Sequence, residues 1–506
     1  MIYAVAAVVS LGAVGGGVFL AARGRRVDVR EWSIGGRGFG GFLFWFLLAG
    51  ETFTTFSILG ASQAVYSDGA PGYYVLGTVV LTSAFGYWAV PRIWRAGKEH
   101  GLMTEGDYFS RRFAAPWLGA ALGLFGIVAL LLYAQIQLTG LALMLQTLFG
   151  PGTPGSVSIA AAGLLVAVFI AVGGMRGAAF GAVVKDVLIV LVLLVLALVA
   201  PSAAGVSGWG GIFDAVAQRH PDAATLPGMS GGSGRAGHNA WWWMSFLLLA
   251  PIGAFVFPHS FQVSFTAKDV RTIRRNQIVQ PLYSLFYVLV IVIALAALLT
   301  DPGLRGAAAN GALLQFARTH APDWLIGLFA GAGILVALIP TAVLVLCCAS
   351  LFTRNVYPVL RREADEAEQL RISRVAVVVL TAAAVLITMA RAQALLDIMV
   401  GVYNAIGQLA PAVFGSLLWR RISAAGAIGG TLVGALVVAI PPVGDAALAV
   451  CPAGTVVGLP ALVLNIVVTV AVSLVTRPPP EHAVRVGVPG GLTRGVDSPV
   501  TSPHNP

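Results

Sequence analysis

Residues 50 to 60 read Gly-Glu-Thr-Phe-Thr-Thr-Phe-Ser-Ile-Leu-Gly, a carboxylate and four hydroxyls set between two glycines inside an otherwise apolar run from 41 to 65. Without these polar groups the run would be a plain membrane helix. An ionised Glu in hydrocarbon costs about 3 kcal/mol on insertion scales, so Glu51 is predicted to face a protein interior or a watery cavity rather than lipid. Carboxylates in that position mark ion or solute pathways.

Working outward, the whole chain has the composition of a membrane protein. Of its 506 residues 58% are hydrophobic and 10% charged, and the mean hydropathy is +0.87, far from a soluble domain of this size. Stretches able to cross ~30 Å of hydrocarbon fall near 3–22, 41–65, 73–94, 115–148, 156–174, 179–200, 241–262, 278–300, 323–352, 372–391, 394–418, 424–443 and 455–475. The fold class predicted is an all-α membrane protein of about thirteen transmembrane helices.

Charge orients these spans. The first has no Lys or Arg before it and Arg23, Arg25 and Arg26 after it, the reverse of a secretory signal peptide, so it is read as a retained anchor with the N-terminus outside. Alternating from there, 26 of the 31 Lys and Arg residues fall on the inner side, as the positive-inside rule requires. The expected location is the cell membrane, multi-pass, with the C-terminus cytoplasmic. The net charge of +10 thus has a membrane explanation, and no nucleic-acid partner is expected. Three cysteines, Cys347, Cys348 and Cys451, offer neither a disulfide pair nor a CxxC metal spacing.

Five spans, two to six, precede the long outer segment, and five more, seven to eleven, follow it. Because five is odd, the second block starts on the opposite side of the membrane, which permits an inverted repeat. The predicted organisation is a first helix with its cytoplasmic loop (1–40), repeat one (41–200), an extracellular loop (201–240), repeat two (241–418), two peripheral helices (419–475) and a Pro/Gly/Ser-rich disordered cytoplasmic tail (476–506). The leading helix of each block carries breakers. In span two they are Gly50 and Gly60, and in span seven Pro251, Gly253 and Pro258, followed by His259, Ser260 and Gln262. Each break alone is ordinary in a membrane helix, but breaks at corresponding places in equal blocks predict a midplane site lined by unwound backbone.

Several separated motifs resemble the sodium:solute symporter family over nearly the whole length. They are Glu-Trp-Ser-Ile-Gly-Gly-Arg at 31–37, Thr-Glu-Gly-Asp-Tyr-Phe-Ser-Arg-Arg-Phe at 104–113, Tyr-Ala-Gln-Ile-Gln-Leu-Thr-Gly at 133–140, Gly-Gly-Met-Arg-Gly at 173–177 and Leu-Phe-Thr-Arg-Asn-Val-Tyr at 351–357. Val-Lys-Asp at 184–186, Phe-Pro-His at 257–259 and Thr-Ile-Arg-Arg-Asn at 272–276, with Pro281 and Tyr283, look most like the monocarboxylate-permease branch.

The resemblance implies a LeuT-type core of two inverted five-helix repeats and secondary transport. It implies a coupling-sodium site built from carbonyls of the unwound second helix at Gly50 and Phe53, and from Ala337, Pro340 and Thr341 on the ninth. Oxygen ligands of this kind suit a hard cation. At position 340 the chain departs from the family's usual Ser: Pro340 brings a carbonyl but no hydroxyl, and it leaves the carbonyl of residue 336 without a helical donor. Glu51 beside that site is a proton acceptor, so sodium and proton both stand as coupling ions; no other cofactor is implied. A local role for Thr341, its hydroxyl bonded back to its own helix, competes with the ligand role.

For the solute, the resemblance points to Glu51, Thr54, Ser57, Gln137, Phe257, Pro258, Tyr403, Asn404 and Gln408 around a central cavity. No cation lies within those helices, and exposed amides at half-helix N-termini can receive a small anion. The implied cargo is a small carboxylated solute, a monocarboxylate such as pyruvate, lactate or acetate, with proline and pantothenate as alternatives. Lys185 and Asp186 are expected to form an inner ion pair near the sixth helix that holds the cytoplasmic end closed in one state, with a simple interfacial anchor as the alternative. His259, near the cytoplasmic mouth of the seventh helix, is expected to gate or pack, with proton relay as the alternative. Gln135 and Asn465 read as helix-to-helix hydrogen-bond glue.

Other classes fit less well. An enzyme is not expected, since no HExxH, GxSxG or His/Cys/carboxylate cluster lies within the spans. A sensor would carry a signalling domain larger than the tail, and a channel would carry a filter motif. Lipid is the expected surrounding, with no obligate protein partner.

Overall fold

The computed structural model describes residues 2–22, 29–50, 53–150, 152–229, 237–361, 365–390 and 393–487. Glu51 and Thr52 lie outside the described residues, as does most of the tail from 488 onward. Helical segments stand at all thirteen apolar stretches: α1 (Ile2–Ala22), α2a (Gly41–Gly50) with α2b (Ala61–Asp68), α3 (Tyr74–Glu99), α4 (Pro116–Phe149), α5 (Gly155–Ala171), α6 (Gly173–Ala203), α7a (Ala240–Ala254) with α7b (Pro258–Ser264), α8 (Ser284–Thr300), α9 (Asp323–Leu351), α10 (Glu366–Ala390), α11 (Leu395–Leu418), α12 (Ala424–Ala439) and α13 (Gly458–Val475). The backbone satisfies itself along each helix, as hydrocarbon demands.

Length separates them. Among the described residues eight helices are long and apolar enough to cross a membrane unaided, and bent pairs raise this to as many as ten. The even run expected for 424–443 is one of those bends: the chain turns by 95° after Ala439, where Pro441 and Pro442 open a short helix to Leu448. Proline cannot donate to the preceding turn, so it starts a helix more readily than it continues one. The fifth and sixth stretches, expected as two spans, stand as two helices that meet at a sharp turn at Gly174, whose φ of 50° and ψ of −157° are open only to glycine. Beside that turn Arg176 pairs with Glu31, fastening the segment before α2.

The axis of the bundle is α9. Its apolar window is buried throughout, and it packs against α1, α4, α6 and α10. Small residues let neighbours approach it: a methyl group on Gly327 would lie 2.7 Å from the Ile2 carbonyl, and one on Gly333 2.6 Å from the Met144 sulfur. At the periphery, Gly426, Gly430 and Gly434 recur every four residues on α12 and press onto α13 and its neighbours, where an added Cβ at Gly430 would fall 2.0 Å from Thr469 Oγ1.

The two ends of the bundle are closed differently. At one end Phe39, just before α2a, pairs with the strand-like stretch after α7b: its amide donates to the Thr266 carbonyl (3.0 Å) and its carbonyl accepts from Lys268 (3.1 Å). The neighbouring helix Glu105–Arg112 opens with a capping box in which Thr104 and Asp107 satisfy each other's amides. Asp107 also accepts from Arg354 and Asn355, both at 3.0 Å, tying this helix to the exit of α9. Buried Arg112 donates to the carbonyls of Ser416 and Trp419, and burial pushes the Tyr108 phenol up to about 12. At the opposite end His238 and Asp68 meet at 2.8 Å, and Asn310 donates to the Gln393 carbonyl. Ile2 lies beside Gly327 near the start of α9, and Gly487 lies beside Tyr108 and Arg112 of the helix tied to the exit of α9.

Candidate functional site

The leading helix of each block is broken, and the two breaks meet. Between α2a and α2b the chain bends at Phe53 and Thr54 and resumes through a wide π-type turn at Phe56–Gly60. Between α7a and α7b it turns through Phe257, extended at φ −70° and ψ 129°, and the halves are inclined by 50°. Pro258 sits in the first turn of α7b, where a missing amide costs nothing, and its ring fits over Gly126 of α4.

A cavity of about 140 Å³ lies at this meeting point. Thr54, Phe56 and Ser57 line it from α2, Phe255, Phe257, His259 and Ser260 from α7, Tyr133 from α4, Tyr287 from α8, and Met399 and Tyr403 from α11. The hydroxyls of Thr54 and Ser57 are 3.5 Å apart, and the Thr54 amide donates to Ser57 Oγ at 3.3 Å. Facing them is an aromatic wall. Phe257 lies 5.5 Å from Tyr403 at 87°, 5.3 Å from Tyr133 and 5.0 Å from the His259 ring. The edge-to-face contact with Tyr403 fixes ring position beyond what burial alone does.

The break in α2 is held by side chains from two other helices. Gln137 of α4 offers its Oε1 to the Thr55 amide at 3.1 Å, satisfying a donor that the lost winding exposes. Lys185 of α6 donates from Nζ to the Phe53 carbonyl at 2.6 Å and stands 2.8 Å from Asp186 Oδ1. Both members of that pair are almost wholly buried, and the ammonium fastens the middle of α2.

On α9, Ala337, Pro340 and Thr341 are all buried. The Thr341 hydroxyl donates to the Ala337 carbonyl at 2.5 Å, which is the local bonding weighed against a ligand role. The helix runs through Pro340 without stopping. Gly50 is the last residue of α2a. Glu51, named for both solute and proton, lies outside the described residues.

The remaining solute candidates separate by orientation. Thr54, Ser57, Phe257 and Tyr403 line the cavity, and so does His259, set against Tyr133. Asn404 and Gln408 turn away: Asn404 Oδ1 accepts from the Gly458 amide at 3.1 Å, while Gln408 donates to the Gly458 carbonyl at 3.2 Å and accepts through its carbonyl from Asn465 at 2.7 Å. One helical turn of 3.6 residues puts Tyr403 and Asn404 about 100° apart, so only one of them faces the cavity. Among the lining residues that went unnamed as candidates in the sequence are two tyrosines. Tyr133 stands four residues before Gln137, one turn along α4, so helical spacing carried that signal; Tyr287 lies in an apolar run with no such mark.

A family model described as the sodium:solute symporter family matches residues 32–434. The chain belongs to the sodium:solute symporter family. An uncharacterized symporter of Bacillus subtilis, YhjB, is 32% identical over 466 residues, covering 90% of this chain and 94% of the relative. A monocarboxylate transport permease protein of Rhizobium johnstonii is 30% identical over 346 residues, 67% of each. Among solved structures, a Na+-coupled sialic acid symporter in a substrate-bound outward-open state superposes with a TM-score of 0.75 at 15% identity, covering 95% of this chain and 98% of its own. Mhp1, a nucleobase-cation-symport-1 family transporter in a closed conformation with bromovinylhydantoin bound, gives 0.57 at 13% identity, covering 90% and 97%. These likenesses show the LeuT-type fold. The protein is a multi-pass membrane secondary transporter and not an enzyme.

Proposed function

We propose that this transporter imports a small monocarboxylate, of the size of pyruvate, lactate or acetate, together with sodium, by rocking one helix bundle against another around the central cavity. The observation that carries the reading is the cavity itself, made where the broken α2 and α7 meet. Its volume of about 140 Å³ is below the ~300–1,000 Å³ of pockets for drug-sized ligands, which favours a solute of few heavy atoms. Hydroxyls of Thr54 and Ser57 on one side and of Tyr403 on the other supply donors for a carboxylate, and the aromatic wall takes the short carbon skeleton. A monocarboxylate permease among the relatives supports the solute class, and the family supports sodium as the coupling ion.

In this reading Gly50, Phe53, Ala337, Pro340 and Thr341 hold the cation, Thr54, Ser57, Phe257 and Tyr403 hold the solute, and the N-terminus faces outward. The test is uptake of labelled pyruvate, lactate, acetate, proline and pantothenate into proteoliposomes, with sodium and proton gradients imposed separately. Saturable monocarboxylate uptake that follows the sodium gradient is the expected result. Uptake of proline or pantothenate alone would overturn the solute, and uptake driven by protons with sodium absent would overturn the coupling ion.

A further inference from the structure

The carbonyl expected to receive the coupling cation already has a cation on it, and that cation belongs to the chain. Lys185 lies inside α6, 12 residues beyond its start at Gly173, with a side chain fully closed to solvent. Its ammonium reaches across to the one stretch of α2 that has lost helical winding and donates to the Phe53 carbonyl at 2.6 Å. Asp186, its neighbour in sequence, stands 2.8 Å away and balances the charge. A peptide carbonyl freed inside the membrane needs a donor or a cation, and an ammonium serves as either. Ala337, another of the carbonyls implied for the site, is likewise occupied from within, by the Thr341 hydroxyl.

An ammonium and a sodium ion carry the same charge and seek the same oxygens, and two such charges on one buried carbonyl repel strongly where the dielectric is low. We propose that Lys185 is a tethered cation that holds the coupling-ion position of α2 in the sodium-free protein, and that sodium gains the Phe53 carbonyl only by displacing it. The displaced ammonium keeps Asp186 as its counterion, so the exchange leaves no bare charge. The break in α2 thereby stays ordered without an ion, and the competition sets how much sodium is needed to load the transporter. This rests on Phe53 being a sodium ligand, as proposed above.

Sodium binding to the purified full-length protein, without solute, tests the exchange separately from the choice of cargo. Radiolabelled sodium is titrated onto the parent chain, Lys185→Met, and the double variant Lys185→Met with Asp186→Asn, which removes both charges of the pair together. The expected result is half-saturation at sodium concentrations about tenfold lower in both variants, as the loss of a charged hydrogen-bonded competitor predicts; sodium binding seen in the variants and not in the parent chain supports the same conclusion. Lys185→Arg keeps the cation and should keep the parent's weaker binding. Unchanged or weaker sodium binding in the double variant, or no sodium binding by any of the proteins, overturns the proposal. A lysine that merely packed α6 against α2 would leave the sodium titration unmoved while lowering the melting temperature. Solute uptake that fails for monocarboxylates but follows sodium would sink the assigned cargo and leave this inference standing.

Discussion

Gln137 Oε1 and the Thr55 amide, 82 positions apart in the chain, meet at 3.1 Å in the buried centre of the molecule. The contact gives α4 control over the point where α2 regains its winding. Gln137→Leu strands the Thr55 amide, and a buried unpaired donor costs about 1–3 kcal/mol. The expected outcome is a lower melting temperature and weakened solute uptake, whereas Gln137→Glu, which retains an acceptor at that place, should keep more of the stability. Thermal unfolding followed by tryptophan fluorescence checks the first part and proteoliposome uptake the second.

Gly253 of α7a gives Tyr403 its place. A methyl group there would come within 2.7 Å of the Tyr403 ring, closer than packed atoms tolerate, so Gly253→Ala pushes the ring toward the cavity. Concentration-dependent uptake should show a KM raised several-fold, on the order of 1 kcal/mol of lost solute binding. An unchanged KM would mean that Tyr403 does not bound the solute position.

Gln408 and Asn404 should behave as structural groups. Their side-chain bonds to Gly458 and Asn465 hold α11 to α13, and interhelical hydrogen bonds in membranes are worth about 0.6 kcal/mol on average and about 2 at most. Gln408→Leu is therefore expected to lower the melting temperature by a modest amount and to leave the KM for solute where it was. A large KM change without loss of stability would return Gln408 to the binding site.

Thr341 separates two uses of one hydroxyl. In the present geometry it bonds to the Ala337 carbonyl; as a sodium ligand it would turn to the ion. Thr341→Ser keeps the hydroxyl and should preserve the sodium dependence of uptake, while Thr341→Val should raise the half-saturating sodium concentration about tenfold, the equivalent of one ordinary hydrogen-bonding contact. Equal sodium curves for the two variants would confine Thr341 to its local bond.

Glu105 sets a pH dependence outside the spans. It is fully buried, neither carboxylate oxygen has a hydrogen-bond partner among the described residues, and burial holds its carboxyl well above the ordinary 4.5. For an acid whose folded-state value is raised, the fold is favoured with the proton on. Stability is therefore lost as pH rises from the unfolded value toward the folded one. Melting temperatures measured from about pH 5 to about pH 8 should fall, and Glu105→Gln should flatten that slope and raise the melting temperature at the alkaline end. A slope that survives the substitution would assign it to other groups.

Much of the architecture was legible in the order of residues. The apolar stretches, their flanking charges and the breakers in the second and seventh of them depend on local composition and spacing, which bilayer thickness and the demand for internal hydrogen bonding translate directly into helices. Pro258 at the start of α7b and the polar run from Thr54 to Ser57 therefore announced the breaks. The sharp turn before Pro441 did not stand out, because an apolar run continues through the bend.

Which way each polar group faces was settled only by packing. Tyr403 and Asn404 are neighbours in sequence, yet one bounds the cavity and the other braces α13, a choice that depends on where a distant helix lies. Lys185 and Asp186 announced a pair, but nothing near them in the chain indicates that the ammonium ends on Phe53, 132 residues earlier. Local composition reaches only as far as a turn or two of helix. Contacts between remote segments follow from how whole helices fill space, and at this site they decide which oxygens a cation can reach.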